Sequence, residues 1–335
     1  MGKDGKQEKD LSKSHTPYSI FMPIIFGIVY GLIMRLYFGF DIDKSKITSE
    51  VMLYSFVCIM PFALGASVIF IAEKYRKRSW SYYIFAPWFA MLLFLLSSFV
   101  LLLEGAICIM IISPLLLAIS SLGGLFAGCI NRYVRKYKYT LHSFALLPLL
   151  ASSIEIKFYN HEKPRQVVSE QRIIINASTD KVWKLINNIR DIKPNEVENG
   201  LVYKIGVPAP LFGITIKNAD GSYTRKSAWH KNVKFDEIIT NYHENQIIKW
   251  HYAFNSESFP KNALDDHVVI GGKYFNLQDT EYNLKAVGNN KTELSLKFSY
   301  TVNTNFNFYA LPIGKIILDD FSKTILNMYK NRLET

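Results

Sequence analysis

The pattern of hydrophobic and polar positions changes near residue 155. Before it, four apolar runs at residues 17–40, 51–72, 81–103 and 106–130 alternate with short polar connections. A helix needs about 20 apolar residues to cross a hydrocarbon core, so each run predicts a membrane-spanning helix. A fifth segment at 140–155, TLHSFALLPLLASSIE, is apolar but shorter, and it carries His142 and Pro148. It reads either as a short fifth crossing or as a re-entrant, interfacial segment, and the compartment of everything after it depends on which. The domain plan is therefore a polar tail (1–16), a transmembrane domain (17–155), a linker (156–166) and a C-terminal domain (167–335).

In the C-terminal part the period falls to two. Strands are predicted at 167–175, 201–206, 212–217, 222–230, 233–240, 246–254, 274–287 and 292–304, with a helix at 181–189. Turn chemistry at 218–221, 243–245 and 288–290 separates several of them, and Gly271-Gly272 marks a bend. Ile248, Trp250, Tyr252 and Phe254 share one strand face. Leu294, Leu296, Phe298, Tyr300 and Val302 share another. One apolar face per strand predicts an antiparallel sheet covered on one side. The final helix, 309–333, has a predicted apolar stripe of Ile313, Ile317, Phe321, Ile325 and Met328 to lay on that face. The fold class is thus an N-terminal all-α transmembrane bundle followed by an α+β domain, a curved antiparallel sheet wrapped around a long C-terminal helix.

Charge orients this plan. The net charge is +11, with 15 Lys/Arg and 8 Asp/Glu in residues 1–154 against 24 and 20 in residues 155–335. Lys74, Arg76, Lys77 and Arg78 follow the second run, and Arg132, Arg135, Lys136 and Lys138 follow the fourth. Basic loops stay in the cytoplasm. That places the N-terminus inside and the connections at 41–50 and 104–105 outside. If 140–155 crosses, the C-terminal domain is extracytoplasmic; if it does not, the domain is cytoplasmic. The basic residues do not interleave with aromatics on one face, which excludes a nucleic-acid partner. Cys58, Cys108 and Cys129 all lie in apolar runs, so the polar half has neither a disulfide framework nor a thiolate metal site.

The runs hold almost no ionisable residues, which argues against ion-coupled transport. Arg35 stands near the outer end of the first, where it can snorkel. Gly27 with Gly31 and Gly124 with Gly128 have the spacing that lets helices approach closely, either within the bundle or across a homodimer. The chain contains no HExxH, GxSxG, Walker A, CxxC or dinucleotide motif, and no residue is assigned a catalytic, cofactor or metal-binding role. The cavity candidates are aromatic and charged positions on the predicted inner faces. Arg225 shares parity with Tyr223, Ser227 and Trp229. Facing inward, it needs an anionic partner, either Glu281 or a ligand's phosphate or carboxylate; facing outward, it is solvated. Trp183, Trp250, Tyr252, Phe298 and Tyr300 line a pocket or pack as plain core, and Trp229, Phe321 and Ile325 complete the set. Asp319 is placed away from the helix stripe, in solvent, and Asp320 flanks it.

The entry RIIINASTDKVWKLINNI, the meander and the closing helix resemble the SRPBCC or START-like superfamily, the helix-grip fold. More narrowly, the chain is similar to bacterial membrane-anchored members with several N-terminal spans. The matching stretches are LLPLL at 146–150, GVPAPL at 206–211, the strand at 221–229 with Arg225, Tyr274-Phe275 with Glu281, and Tyr300. Histidines found in the last helix of many such proteins have no counterpart here, where Lys323 and Leu326 stand nearby. The resemblance implies binding of a lipid, sterol, polyketide or other apolar molecule. The expected function is binding of a hydrophobic small molecule or lipid beside the bilayer. A cyclase- or aromatase-like enzyme, or an interaction module with a filled core, are the open alternatives.

Overall fold

Helix α1 (Tyr18–Gly39), a π-helical turn (Ser55–Ile59) running into α2 (Met60–Tyr75), α3 (Trp80–Val100) and α4 (Ala106–Tyr133) realise the four apolar runs. All four are long and apolar enough to cross a membrane. The computed structural model describes residues 18–39, 53–75, 77–133, 141–157, 165–261, 263–265 and 268–335. The tail 1–16, the 41–50 connection, Arg76, Arg135, Lys136, Lys138, most of the linker and Asp266 with His267 lie outside the described residues, as does the side chain of His142. The chain divides into two units, residues 1–104 with 109–161, and residues 105–108 with 162–335.

In the first unit α2 is the central helix. Met60, Ala63, Leu64, Ala66, Val68 and Ile69 on it are wholly buried. Around it, α1 turns Phe21, Ile25, Val29 and Ile33 outward, and α3 turns Phe85, Phe89, Leu92 and Leu96 outward. Apolar faces this long are unusual on a surface that meets water. The glycine pairs are used inside the chain. A Cβ at Gly27 would meet Ala90 and Val68, one at Gly31 the ring of Phe94, one at Gly124 the backbone of Tyr83, and one at Gly128 the Tyr83 ring. These contacts are those of the within-bundle alternative. Arg35 does not snorkel freely: its Nε lies 2.7 Å from Glu104 Oε1, and it also donates to the Leu103 carbonyl.

Helix α5 (Leu141–Lys157) lies antiparallel to α2. Near its start, Phe144 packs on Phe70 and Phe126, with ring centroids 5.6 and 5.7 Å apart. Near its end, the Glu155 carboxylate accepts the backbone N–H groups of Tyr54 (2.7 Å) and Ser55 (2.9 Å) and the Ser55 hydroxyl. A helix start leaves its first backbone N–H groups without intrahelical acceptors, which is why an acid settles there. Alongside α2, α5 therefore reaches from the level of Phe70 to the level of Ser55.

The second unit is one eight-stranded antiparallel sheet, in the order β1-β8-β7-β6-β5-β4-β3-β2, curled around a long helix. The strands are β1 (Arg165–Ile175), β2 (Asn188–Ile189), β3 (Pro210–Lys217), β4 (Tyr223–Trp229), β5 (Val233–His243), β6 (Ile247–Ala253), β7 (Phe275–Ala286) and β8 (Thr292–Val302). Register shifts at Pro210/Phe212, Ile239/Asn241 and Leu277/Asp279 supply the bends that curl it. Three short helices, α6 (Thr179–Asn187), α7 (Pro194–Val197) and α8 (Leu201–Lys204), precede β3, and α9 (Asn307–Glu334) closes the chain. This is the helix-grip architecture.

Three local expectations change. Residues 201–206, expected as a strand, form α8, because the Asp320 carboxylate on α9 accepts the N–H groups of Leu201 (2.6 Å) and Val202 (3.4 Å). That tertiary contact overrides a weak strand preference. On α9 the buried line is Leu318, Ser322, Ile325, Leu326 and Tyr329, with Met328 beside it, while Ile313, Ile317 and Phe321 are half-buried. The helix is rotated about one residue from the expected stripe. Asp319 is not free in solvent: it accepts from the buried Ser169 hydroxyl and from Lys315 Nζ at 2.9 Å. These contacts hold its carboxyl below the usual range despite the opposing effect of burial. The far end of α9 is clamped by Arg332, which bonds Glu196 through two nitrogens (2.5 and 2.7 Å) and the carbonyls of Arg190 and Asp191.

Candidate functional site

Strand parity places a polar group inside an otherwise apolar face. Arg225 on β4 stands directly opposite Glu237 on β5, and Glu237 stands opposite Tyr252 on β6. The Arg225 Nε lies 2.9 Å from Glu237 Oε2, the Ser227 hydroxyl donates to Glu237 Oε1 at 3.0 Å, and Arg225 also donates to the Ile186 carbonyl at the end of α6. Its guanidinium lies 5.6 Å from the centre of the Trp250 ring. Both charged residues are buried, at 6% and 5% exposure. Space for the guanidinium comes from Gly213 on β3, where any Cβ would overlap it. Beside the pair, the Tyr252 hydroxyl and Thr280 Oγ1 are 2.5 Å apart, and Tyr282 donates to the Tyr329 hydroxyl on α9 at 3.5 Å.

Burial dominates the electrostatics. It pushes the Glu237 carboxyl up to about 7, against the pull of Arg225 and Ser227. Burial is also the largest influence on Arg225 and works against its charge, but Glu237 together with the Tyr329 and Tyr282 hydroxyls outweighs it and the guanidinium stays protonated. The phenols of Tyr252 and Tyr282 are raised by burial and stay neutral. A carboxyl with raised proton affinity, a hydroxyl and a fixed cation thus share one buried site, where each acts more strongly than in water.

From this group a run of aromatic rings leads to one end of the sheet. Trp229 and Phe235 are 5.4 Å apart, and Phe235 touches Tyr252 (5.8 Å), Phe254 (5.4 Å) and Phe259 (6.2 Å). Across from them on α9, Phe321 touches Trp229 (6.2 Å), Phe298 (5.5 Å) and Tyr203 (6.2 Å). Trp229, Tyr252, Phe254, Phe259, Phe321 and Tyr203 are only half-buried, unlike the core proper. The hydroxyls of Tyr203 and Tyr300 are buried and find no hydrogen-bond partner among the described residues. Burial raises both, that of Tyr300 to about 12. A buried hydroxyl without a partner costs about 1–3 kcal/mol.

The structure brings together Arg225, Trp250 and Tyr252 in the polar group, and Trp229, Phe298 and Phe321 in the aromatic run. Tyr300 sits beside Phe275, 5.9 Å between rings. Ile325 is core. Trp183 lies apart, stacked edge-on against Tyr242 (5.2 Å) toward the opposite end of the sheet. Glu281 does not pair with Arg225. It alternates with inward Thr280 and Tyr282, so it takes the outer face, in register with Lys249 and Lys297. The anionic partner is Glu237, and a signal for it was present: it shares parity with Val233 and Phe235 on a strand that reverses directly from β4. Nothing in the sequence pointed to Gly213. Among the described residues no group of three or more His, Cys, Asp or Glu could hold a metal ion.

No family model matches the chain, and no curated protein matches it. Solved structures do. An aromatase/cyclase from Streptomyces sp. R1128 is 11% identical, with 51% of this chain and 94% of that chain covered at a TM-score of 0.34. A START superfamily protein from Mycobacterium smegmatis is 12% identical, covering 50% and 97%, at 0.34. A truncated norcoclaurine synthase from Thalictrum flavum is 14% identical, covering 50% and 98%, at 0.27.

Proposed function

We propose that this chain is an integral membrane protein whose C-terminal domain binds a hydrophobic small molecule or lipid between its sheet and α9. The observation that carries the reading is the combination of half-buried aromatic rings with a few buried polar groups beyond them. Binding sites for apolar molecules are built this way, with an apolar wall and a few fixed polar contacts. A core meant only for stability gains nothing from a buried Arg–Glu pair, since well-packed apolar residues serve as well. An apolar ligand would lie on Trp229, Phe254 and Phe321 and offer a hydroxyl or carbonyl to Tyr300 or to protonated Glu237.

The depth of α5 favours its being a fifth crossing. With the basic loops in the cytoplasm, the domain after it is then extracytoplasmic, held beside the lipid that would supply or receive its ligand. Purification in detergent followed by mass spectrometry of extracted lipids tests the binding. We expect one apolar species enriched over the solubilised background and lost from a Phe321→Ala variant. Recovery of background lipids alone, from both proteins, would leave the reading without support. Alkaline phosphatase fused after Thr335 tests the orientation, and activity is expected.

One observation favours a second reading, an enzyme of cyclase type. Glu237, raised to about 7 beside the Tyr252 hydroxyl, suits proton transfer to or from a bound carbonyl compound. Such an enzyme would chemically change its ligand, and Glu237→Gln would keep binding while ending the conversion.

A further inference from the structure

The aromatic run reaches the end of the sheet at which β1 begins. β1 begins at Arg165, which pairs with Val302, the last residue of β8; Val302 in turn pairs with Phe275, the first of β7. The chain then enters α9 at Asn307. The β4–β5 reversal and the loop from β6 to β7 lie at the same end, joined by Lys231, whose Nζ donates to the carbonyls of Gly206 (3.0 Å) and Ala263 (3.3 Å). Seven residues separate Arg165 from Lys157, the last of α5. A chain of that length spans no more than about 28 Å.

This end carries exposed apolar side chains that the fold does not use. Phe308 is 62% exposed, and Pro312 and Ile316 continue from it at four-residue spacing along the outer side of α9. Arg165, Lys261 and Lys273 are exposed at the same end. Exposed apolar residues at an end that also carries three exposed basic residues, with Glu257 the exposed acid of the β6–β7 loop, are the composition of a surface that inserts shallowly among anionic lipid headgroups. The other exposed apolar residues of comparable size include Ile174 and Val287, which lie at the opposite end of the sheet, by the β7–β8 turn.

We infer that the first turns of α9 dock on the bilayer surface, Phe308 deepest, so that the aromatic run opens onto lipid rather than onto water. The inference rests on the membrane reading above, and its test carries a separate control for that reading. The full chain, with Cys58, Cys108 and Cys129 replaced by alanine, is reconstituted into vesicles containing phosphatidylglycerol. Single cysteines at 308, 312, 316, 174, 287 and, as the control, 96 on the lipid-facing side of α3 carry an environment-sensitive fluorophore. Quenching by brominated lipids is then measured.

Strong quenching is expected at 96, clear quenching at 308 that declines through 312 to 316, and none at 174 or 287. Quenching at 308 no greater than at 287, with 96 quenched, overturns the docking and leaves membrane anchoring intact. A label at 308 shielded from aqueous iodide yet untouched by brominated lipid also overturns it, in favour of a protein partner. An unquenched label at 96 removes the anchoring itself and the docking with it. A parallel series without anionic lipid is expected to weaken quenching at 308 and leave 96 unchanged; an unchanged 308 signal would overturn the part assigned to the basic residues.

Discussion

Glu237 makes the stability of the C-terminal domain depend on pH in an unusual direction. Its carboxyl is held near 7 in the folded protein against an ordinary value of 4.5. Between these values the unfolded chain has released a proton that the folded chain keeps, so stability falls as pH rises. The contribution is fully present below about 4.5, is lost progressively toward 7, and is flat above. That difference in proton affinity between the folded and unfolded chain is worth on the order of 3 kcal/mol. Glu237→Gln puts a neutral side chain of the same shape in place and removes this dependence. The wild type and the variant are therefore expected to be matched near pH 4. By pH 8 the variant should have gained about 3 kcal/mol relative to wild type. Chemical unfolding of the full chain in detergent, followed by tryptophan fluorescence at a series of pH values, measures the difference. Infrared spectroscopy supplies a direct check, a protonated carboxyl band present at pH 5, absent from the variant, and fading with a midpoint near 7. If the ion pair with Arg225 outweighed burial, the sign would reverse. The variant would then lose stability relative to wild type as pH rises through the ordinary carboxylate range, and that result would refute the reasoning.

Three further outcomes follow from packing. Gly213→Ala places a methyl group where the Arg225 guanidinium lies and should cost about 1–3 kcal/mol, with the loss measured by unfolding and reduced when Arg225 is replaced by Leu in the same chain. Arg332→Ala removes the two-nitrogen bond to Glu196 and should cost about 1–3 kcal/mol, with faster hydrogen exchange confined to α7 and the end of α9. Asp320→Ala uncaps α8 and should cost about 1 kcal/mol, visible as increased exchange at Leu201 and Val202.

Much of this architecture is local in origin and could be read from the chain. A run of about 20 apolar residues excludes water from its backbone only as a helix, so the four long helices were legible without any knowledge of their neighbours. A period of two with one apolar face has a single solution, and β5 to β8 appeared close to where they were expected. Arg225 could be flagged from parity alone. Its partner was less visible, because the choice between Glu237 and Glu281 depends on which face each takes. That depends on register, and a shift of one residue inverts every side chain of a strand.

What the tertiary structure alone decided is set by groups far apart in sequence. Asp320 turned a predicted strand into α8, and packing on the sheet set the buried line of α9 at Leu318, Ser322, Ile325, Leu326 and Tyr329. The glycine pairs meet Ala90, Phe94 and Tyr83 within the bundle, and contacts with Phe70 and Ser55 set the extent of α5 alongside α2. Helix and strand follow from the chain's own periodicity, because their hydrogen bonds and exposed faces are fixed by near neighbours. Partners do not, because burial, which raises Glu237 and selects what it meets, exists only after the sheet has closed over the helix.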